Sequence, residues 1–297
     1  MIRLNGVSKS FDGKIVLDKV NLQIPKGSVF GLVGPNGSGK STILRLLCGV
    51  YQLDEGFIMI EDQPVYENVA LKRRIFFVAD EPYFFRHSTL LEMKQFYQLF
   101  YPNFSKELYQ RLLKVFPINE KTKISIMSKG MKRQVLLILA LATRPDYLFL
   151  DEAFDGLDPV MRLTLKRMIA EEITSRQMTV IISSHNLREL EDICDTLGLL
   201  SNNTIQIAGT TEDIKAGIQK VQLCFTDPIS KDELQPLQIL HYEQRGSVIS
   251  MVARNTEDEI RTVVGRYKPI LFELLPVTLE EVFVYEMEAQ GYGQYVE

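Results

Sequence analysis

Eight consecutive residues constrain this chain more than any other feature: Gly34, Pro35, Asn36, Gly37, Ser38, Gly39, Lys40 and Ser41. They fit the pattern G-x-x-x-x-G-K-[ST] and lie where its chemistry needs them. Before them, residues 28–33 (SVFGLV) form a short apolar run of the buried-strand type. After them, residues 41–48 (STILRLLC) place Ile43, Leu44, Leu46 and Leu47 on an apolar helical face, with Gly49 available to end the helix. Glycines let backbone N–H groups turn inward around phosphate oxygens, and a helix N-terminus adds unpaired donors and partial positive charge. Lys40 is a mobile charge for β- and γ-phosphates, and the Ser41 hydroxyl suits Mg²⁺. The pattern predicts a nucleotide site on an α/β sheet.

The surrounding segments agree with that class. Residues 1–7, 16–24 and 56–60 are expected to be strands, the second alternating apolar and polar residues. Residues 75–78, 147–150 and 179–183 are short, strongly apolar and suit buried strands. Residues 159–176 suit a helix. Strands alternating with helices imply a mainly parallel sheet covered on both faces. A helical insert is expected over about residues 83–143, with helices at 90–100, 105–116 and 130–142. After about residue 217 the pattern shifts to a small α+β unit, residues 218–297. It has strands at 221–225, 239–244, 247–252 and 270–274 and helices at 257–267 and 278–287.

The strand at 147–150 ends in Asp151-Glu152. Carboxylates at a strand's C-terminal end sit where open α/β sheets bind ligands. Asp151 is placed to hold Mg²⁺, and Glu152 to polarise a water that attacks the γ-phosphate.

Composition removes competing classes. The net charge is −4, which gives no global attraction for nucleic acid. Three widely spaced cysteines make neither a disulfide framework nor a zinc pattern, and fit a reducing cytosol. Residues 1–11 lack the apolar stretch of a signal peptide. The longest strongly apolar run, residues 135–142, is far shorter than the roughly 20 residues a bilayer requires.

Four further features narrow the phosphate-loop families. Ser128-Lys129-Gly130-Met131 opens an expected helix. Gly156-Leu157-Asp158 follows the acidic pair. Ser183-Ser184-His185 ends a buried strand, and Phe11 lies in Ser-Phe-Asp-Gly. In this order, over residues 1 to about 217, the chain resembles the ATP-binding subunit of an ABC transporter, and its exporter-like branch in particular. The resemblance implies a P-loop NTPase fold: a RecA-like core with an antiparallel β portion and a helical insert. It implies ATP and Mg²⁺, with Phe11 against adenine and residues 34–42, Thr42 included, around the phosphates. Lys40, Glu152 and His185 would be catalytic. Ser128 and Gly130 would complete the site of a second subunit, identical or related. Polytopic membrane subunits would be the partners, at the cytoplasmic side of the membrane, and the transported substrate a peptide, lipid or drug. Residues 81–91, rich in aromatic side chains at Tyr83, Phe84 and Phe85, would meet those subunits.

Three positions depart from the family's pattern. Lys129 and Met131 replace the usual Gly and Gln of the signature. Asp80 falls where the family carries a metal-contacting glutamine, so Asp80 joins Ser41 and Asp151 as an expected metal-site residue. A soluble ABC-type ATPase acting on ribosomes or DNA is the alternative. The single core, the lack of a heptad run and the acidic balance weigh against it.

Overall fold

The computed structural model describes residues 1–227 and 229–289. Pro228 and the last eight residues of the expected C-terminal unit lie outside them. Strands without polar alternation must be covered on both faces. Val29–Val33, Tyr147–Asp151 and Thr179–Ser184 are buried at every residue. They lie at the centre of a six-stranded sheet. Its order is Thr204–Thr210, Thr196–Ser201, Val29–Val33, Thr179–Ser184, Tyr147–Asp151, Ile75–Val78. The four pairings from Thr196–Ser201 to Ile75–Val78 are parallel, with Val33 opposite Ser184 and Asp151 opposite Ser183. Parallel register brings the C-terminal ends of these strands to one edge, and the loops leaving that edge carry the candidate site.

A second sheet, in the order Lys14–Ile24, Ile2–Phe11, Glu55–Ile60, Gln63–Pro64, is antiparallel. Its inward residues, among them Ile2, Leu17, Val20 and Ile60, share one apolar core with Phe30 and Leu32 of the parallel sheet and Leu44 and Leu47 of the helix Lys40–Leu47. Ionic contacts clasp the two sheets. Glu61 accepts from Lys26 at 2.9 Å and pairs with Arg74 at 2.8 Å. Arg74 in turn donates to Asp146 at 2.5 Å, just ahead of the strand Tyr147–Asp151.

The insert contains the helices Leu90–Phe100, Lys106–Val115 and Lys129–Ala142. Thr89, Ser105 and Ser128 cap their N-termini, each accepting from a backbone N–H three residues on. Residues 135–142 are buried without exception, so this short apolar run is a core helix.

The chain divides into two compact units, Met1–Ala208 and the residues from Gly209 onward. The second unit has a four-stranded antiparallel sheet in the order Ile239–Arg245, Val248–Ala253, Gln219–Cys224, Leu271–Leu275. Val221, Leu223, Ile249 and Met251 from the sheet, and Ile260 and Val264 from the helix Glu257–Val264, form its own core.

Candidate nucleotide site

The phosphate loop leaves Val33 and enters the helix Lys40–Leu47 through Gly39, whose φ of 107° is left-handed. The loop is tightly cradled. A Cβ on Gly34 would stand 2.3 Å from the Leu200 carbonyl oxygen and 2.7 Å from Ser38 Oγ, so only glycine fits. Ser38 Oγ is itself buried with no hydrogen-bond partner, an unsatisfied hydroxyl of the kind a ligand oxygen would serve. The Lys40 side chain is 6% exposed, and its Nζ donates to the carbonyls of Gly34 at 2.7 Å and Pro35 at 3.2 Å.

The acidic pair meets this lysine. Glu152 Oε1 lies 3.7 Å from Lys40 Nζ. Burial lowers the Lys40 pKa from its ordinary value, while the Glu152 and Asp151 carboxylates work in the opposite direction. Glu152 adopts φ 48° and is fixed from behind: its N–H donates to the Ser183 carbonyl at 3.1 Å. Its other oxygen, Oε2, lies 3.0 Å from His185 Nδ1 and accepts from the His185 backbone N–H at 3.4 Å. With a proton on Nδ1, the ring donates to the carboxylate. Asp151, 1% exposed, accepts a 2.6 Å hydrogen bond from Ser183 Oγ. Lys40, Asp151, Glu152 and His185 therefore converge at the C-terminal edge of the parallel sheet, beside the N-terminus of the helix Lys40–Leu47.

The remaining expected residues lie as follows. Ser41 and Thr42 occupy the first turn of the helix Lys40–Leu47, with Asn36 and Gly37 in the loop ahead of it. Ser128 Oγ accepts from the Met131 N–H at 3.2 Å. At Gly130, a Cβ would meet the Gly156 carbonyl oxygen at 2.8 Å, so glycine permits that close approach. Phe11 is partly exposed and meets Tyr51 edge to face, with centroids 5.2 Å apart. Asp80 does not stand free: its Oδ1 accepts from Arg133 at 3.0 Å.

Sequence reasoning missed several participants. Tyr51 supports Phe11, and Arg45 lies over the Tyr51 ring at 5.8 Å. Asp155 gathers with Glu152 and His185, with ligand atoms within 4.8 Å of one another. Arg133 holds Asp80. Tyr51 and Arg133 had no local sequence signal, because their partners Phe11 and Asp80 lie far from them in the chain, whereas Asp155 is only three residues beyond Glu152.

Comparison with known proteins agrees with this geometry. A family described as "ABC transporter" matches residues 17–155. The chain is 31% identical over 284 residues to "ABC transporter ATP-binding protein YtrB" of Bacillus subtilis, covering 96% of this chain and 97% of that protein. It is also 31% identical over 294 residues to "Nod factor export ATP-binding protein I" of Bradyrhizobium diazoefficiens, covering 95% of each. A "Sulfate/thiosulfate import ATP-binding protein CysA" of Synechocystis is 33% identical over 218 residues, covering 72% of this chain and 61% of that protein. Among solved structures, "Structure of ATP binding subunit of ABC transporter" superposes with a TM-score of 0.68 at 26% identity, covering 73% of this chain and 92% of that one.

Proposed function

The chain belongs to the ABC transporter family of ATP-binding subunits, which are P-loop ATPases that dimerise and act with membrane components, and on that premise we propose how its own residues carry out the work. Two copies, or one copy and a related subunit, close around two ATP molecules. Residues 34–42 of one subunit wrap the phosphates, and Ser128 and Gly130 of the other complete the site. Phe11, with Tyr51 behind it, presents a ring face to the adenine.

The donor set suits Mg²⁺. Ser41 offers a hydroxyl and Asp151 a buried carboxylate, both hard oxygen ligands. When bound there, Mg²⁺ would offset the negative charge of the β- and γ-phosphates. Lys40 supplies the second positive charge. Glu152, held by Ser183 and by the His185 backbone, orients the attacking water and draws its proton. His185 fixes Glu152 through Nδ1 and keeps its other face for the γ-phosphate. The observation that carries this reading is the line of Lys40, Glu152 and His185, with contacts of 3.7 and 3.0 Å, at the mouth of the phosphate loop. A γ-phosphate bridging two subunits favours the closed dimer, and its loss reopens it.

No helix among the described residues is long and apolar enough to cross a membrane, so a polytopic partner would hold the subunit at the cytoplasmic face. An aromatic row offers it a seat. Tyr83, Phe85, Phe96 and Phe100 follow one another with centroids 6.3, 4.8 and 4.9 Å apart. Beside them, a groove of about 440 Å³ also contacts Val69, Lys72 and Arg73. Export is favoured over import by the match to the export protein, which spans 95% of this chain, and a peptide, lipid or drug is the class of substrate proposed.

Glu152→Gln is the test. It should bind ATP as the parent does, lose about a hundredfold or more in kcat, and associate more tightly with MgATP than with ADP. Undiminished turnover, or association indifferent to the nucleotide, would refute the assignment.

A further inference from the structure

The helix Lys129–Ala142 starts at the Ser128 motif, and its buried face carries one charged side chain, Arg133, which is 1% exposed. Its guanidinium makes three hydrogen bonds: Nη1 donates to the Ala79 carbonyl at 2.7 Å, and Nη2 to the Asp80 carbonyl at 2.7 Å and to Asp80 Oδ1 at 3.0 Å. All three acceptors belong to the two residues that follow the strand Ile75–Val78. Nε is buried with no partner, so the side chain gives up part of its hydration to hold this one loop.

A guanidinium taken out of water is costly unless it is paired, and a planar fork tolerates little misplacement of its acceptors. The contact is therefore stiff. It joins two places that the proposed reaction uses separately. Gly130, three residues before Arg133, lies in the motif that closes on the second subunit's ATP. Tyr83, three residues after Asp80, begins the aromatic row.

We propose that Arg133 is a positioning residue that clamps residues 79–80 to the start of the helix Lys129–Ala142, so that the loop and the Ser128–Gly130 motif move as one body. In this role Asp80 is the counter-ion of Arg133 and not a ligand of the metal. A side chain of opposite charge at residue 80 fits that task, because the group it meets is a buried cation. The inference rests on the two-subunit reading above, since only there does the helix start touch nucleotide.

The experiment compares Asp80→Ala, Arg133→Met and the double variant. ATP-driven association is measured by light scattering in the Glu152→Gln background. kcat, the KM for ATP and the Mg²⁺ half-saturation are measured with Glu152 intact. Each single change should weaken association about tenfold and lower kcat, with ATP binding by the isolated subunit and Mg²⁺ demand unchanged. The double variant should be no weaker than the weaker single, because one contact is lost once. Arg133→Lys should recover part of the association by keeping the charge pair. If Arg133→Met melts out of the fold, Asp80→Ala and Arg133→Lys carry the comparison. Losses that multiply in the double variant overturn the proposal. So does a Mg²⁺ demand that shifts with Asp80→Ala and not with the Arg133 variants, which would make Asp80 a metal-site residue. Failure of the parent Glu152→Gln protein to associate with ATP would instead overturn the two-subunit reading, and this inference with it.

Discussion

Glu61→Gln would remove the charge at the clasp between the two sheets and leave the side chain's shape. The Lys26 ammonium, helped by Arg74, holds the Glu61 carboxyl at about 2, well below its ordinary 4.5, although partial burial works in the opposite direction. A group with a depressed folded pKa stabilises the fold above its unfolded pKa and loses that contribution as pH falls through the folded one. The window here runs from 4.5 down to about 2. At full strength the shift corresponds to about 3 kcal/mol. Lys26 is half exposed, and solvent screening reduces this to about 1 to 2 kcal/mol. For the first unit that is roughly 2 to 8 °C in melting temperature. Melts of wild type and Glu61→Gln without nucleotide should differ by this amount at pH 7, and by about two-fifths of it at pH 3. Added salt should narrow the difference as well. A gap that stays constant from pH 7 to pH 3, or that widens in acid, would show that the effect is packing and not charge.

Lys40→Ala should weaken ATP binding by about tenfold or more, measured by calorimetric titration, because a buried phosphate loses its counter-charge. An unchanged affinity would remove Lys40 from the site. Gly34→Ala should cost about 1 to 3 kcal/mol and abolish nucleotide binding, since its Cβ would strike the Leu200 backbone oxygen; a normal melt with normal binding would show that the loop yields. Gly130→Ala should keep the fold and ATP binding but lower turnover, read as kcat, because the Gly156 carbonyl must move aside. Tyr83→Ser and Phe85→Ser should weaken pull-down of the membrane subunit and leave the soluble melting curve in place, because both rings are exposed. Full retention by both folded variants would place the docking surface elsewhere.

The parts of the site legible in the sequence are those made by contiguous backbone. The phosphate loop, the Asp151-Glu152 step and the Ser128 cap are each defined within a few residues, by turn geometry or capping chemistry. Several elements lie close to expectation. The strand Ile75–Val78 and the helices Leu90–Phe100 and Pro159–Arg176 have the expected ends, and the strand expected at 147–150 gains only Asp151. The short helices Val69–Lys72, Leu187–Glu191 and Thr211–Ala216 went unanticipated, as did the strands Thr196–Ser201 and Thr204–Thr210. The helices are too short for a helical period. The strand Thr196–Ser201 is fixed by pairing with Val29–Val33, far away in the chain. The Arg133–Asp80 contact, 53 residues apart in sequence, was hidden for the same reason. A lone arginine in an apolar helix does not announce its partner.

The position of Val29–Val33 in the sheet also sets a schedule for synthesis. It is paired on one side with Thr179–Ser184 and on the other with Thr196–Ser201. Nothing in the preceding 150 or so residues hydrogen-bonds to either edge of the strand that delivers the phosphate loop. At ribosomal rates of about 5–20 residues per second, that strand waits roughly 10 to 30 s for its neighbours. During this interval the antiparallel sheet, whose strands lie close together in sequence, is free to form by itself. A nascent chain stopped short of residue 179 therefore lacks both neighbours of that strand, and should bind nucleotide far more weakly than the finished unit.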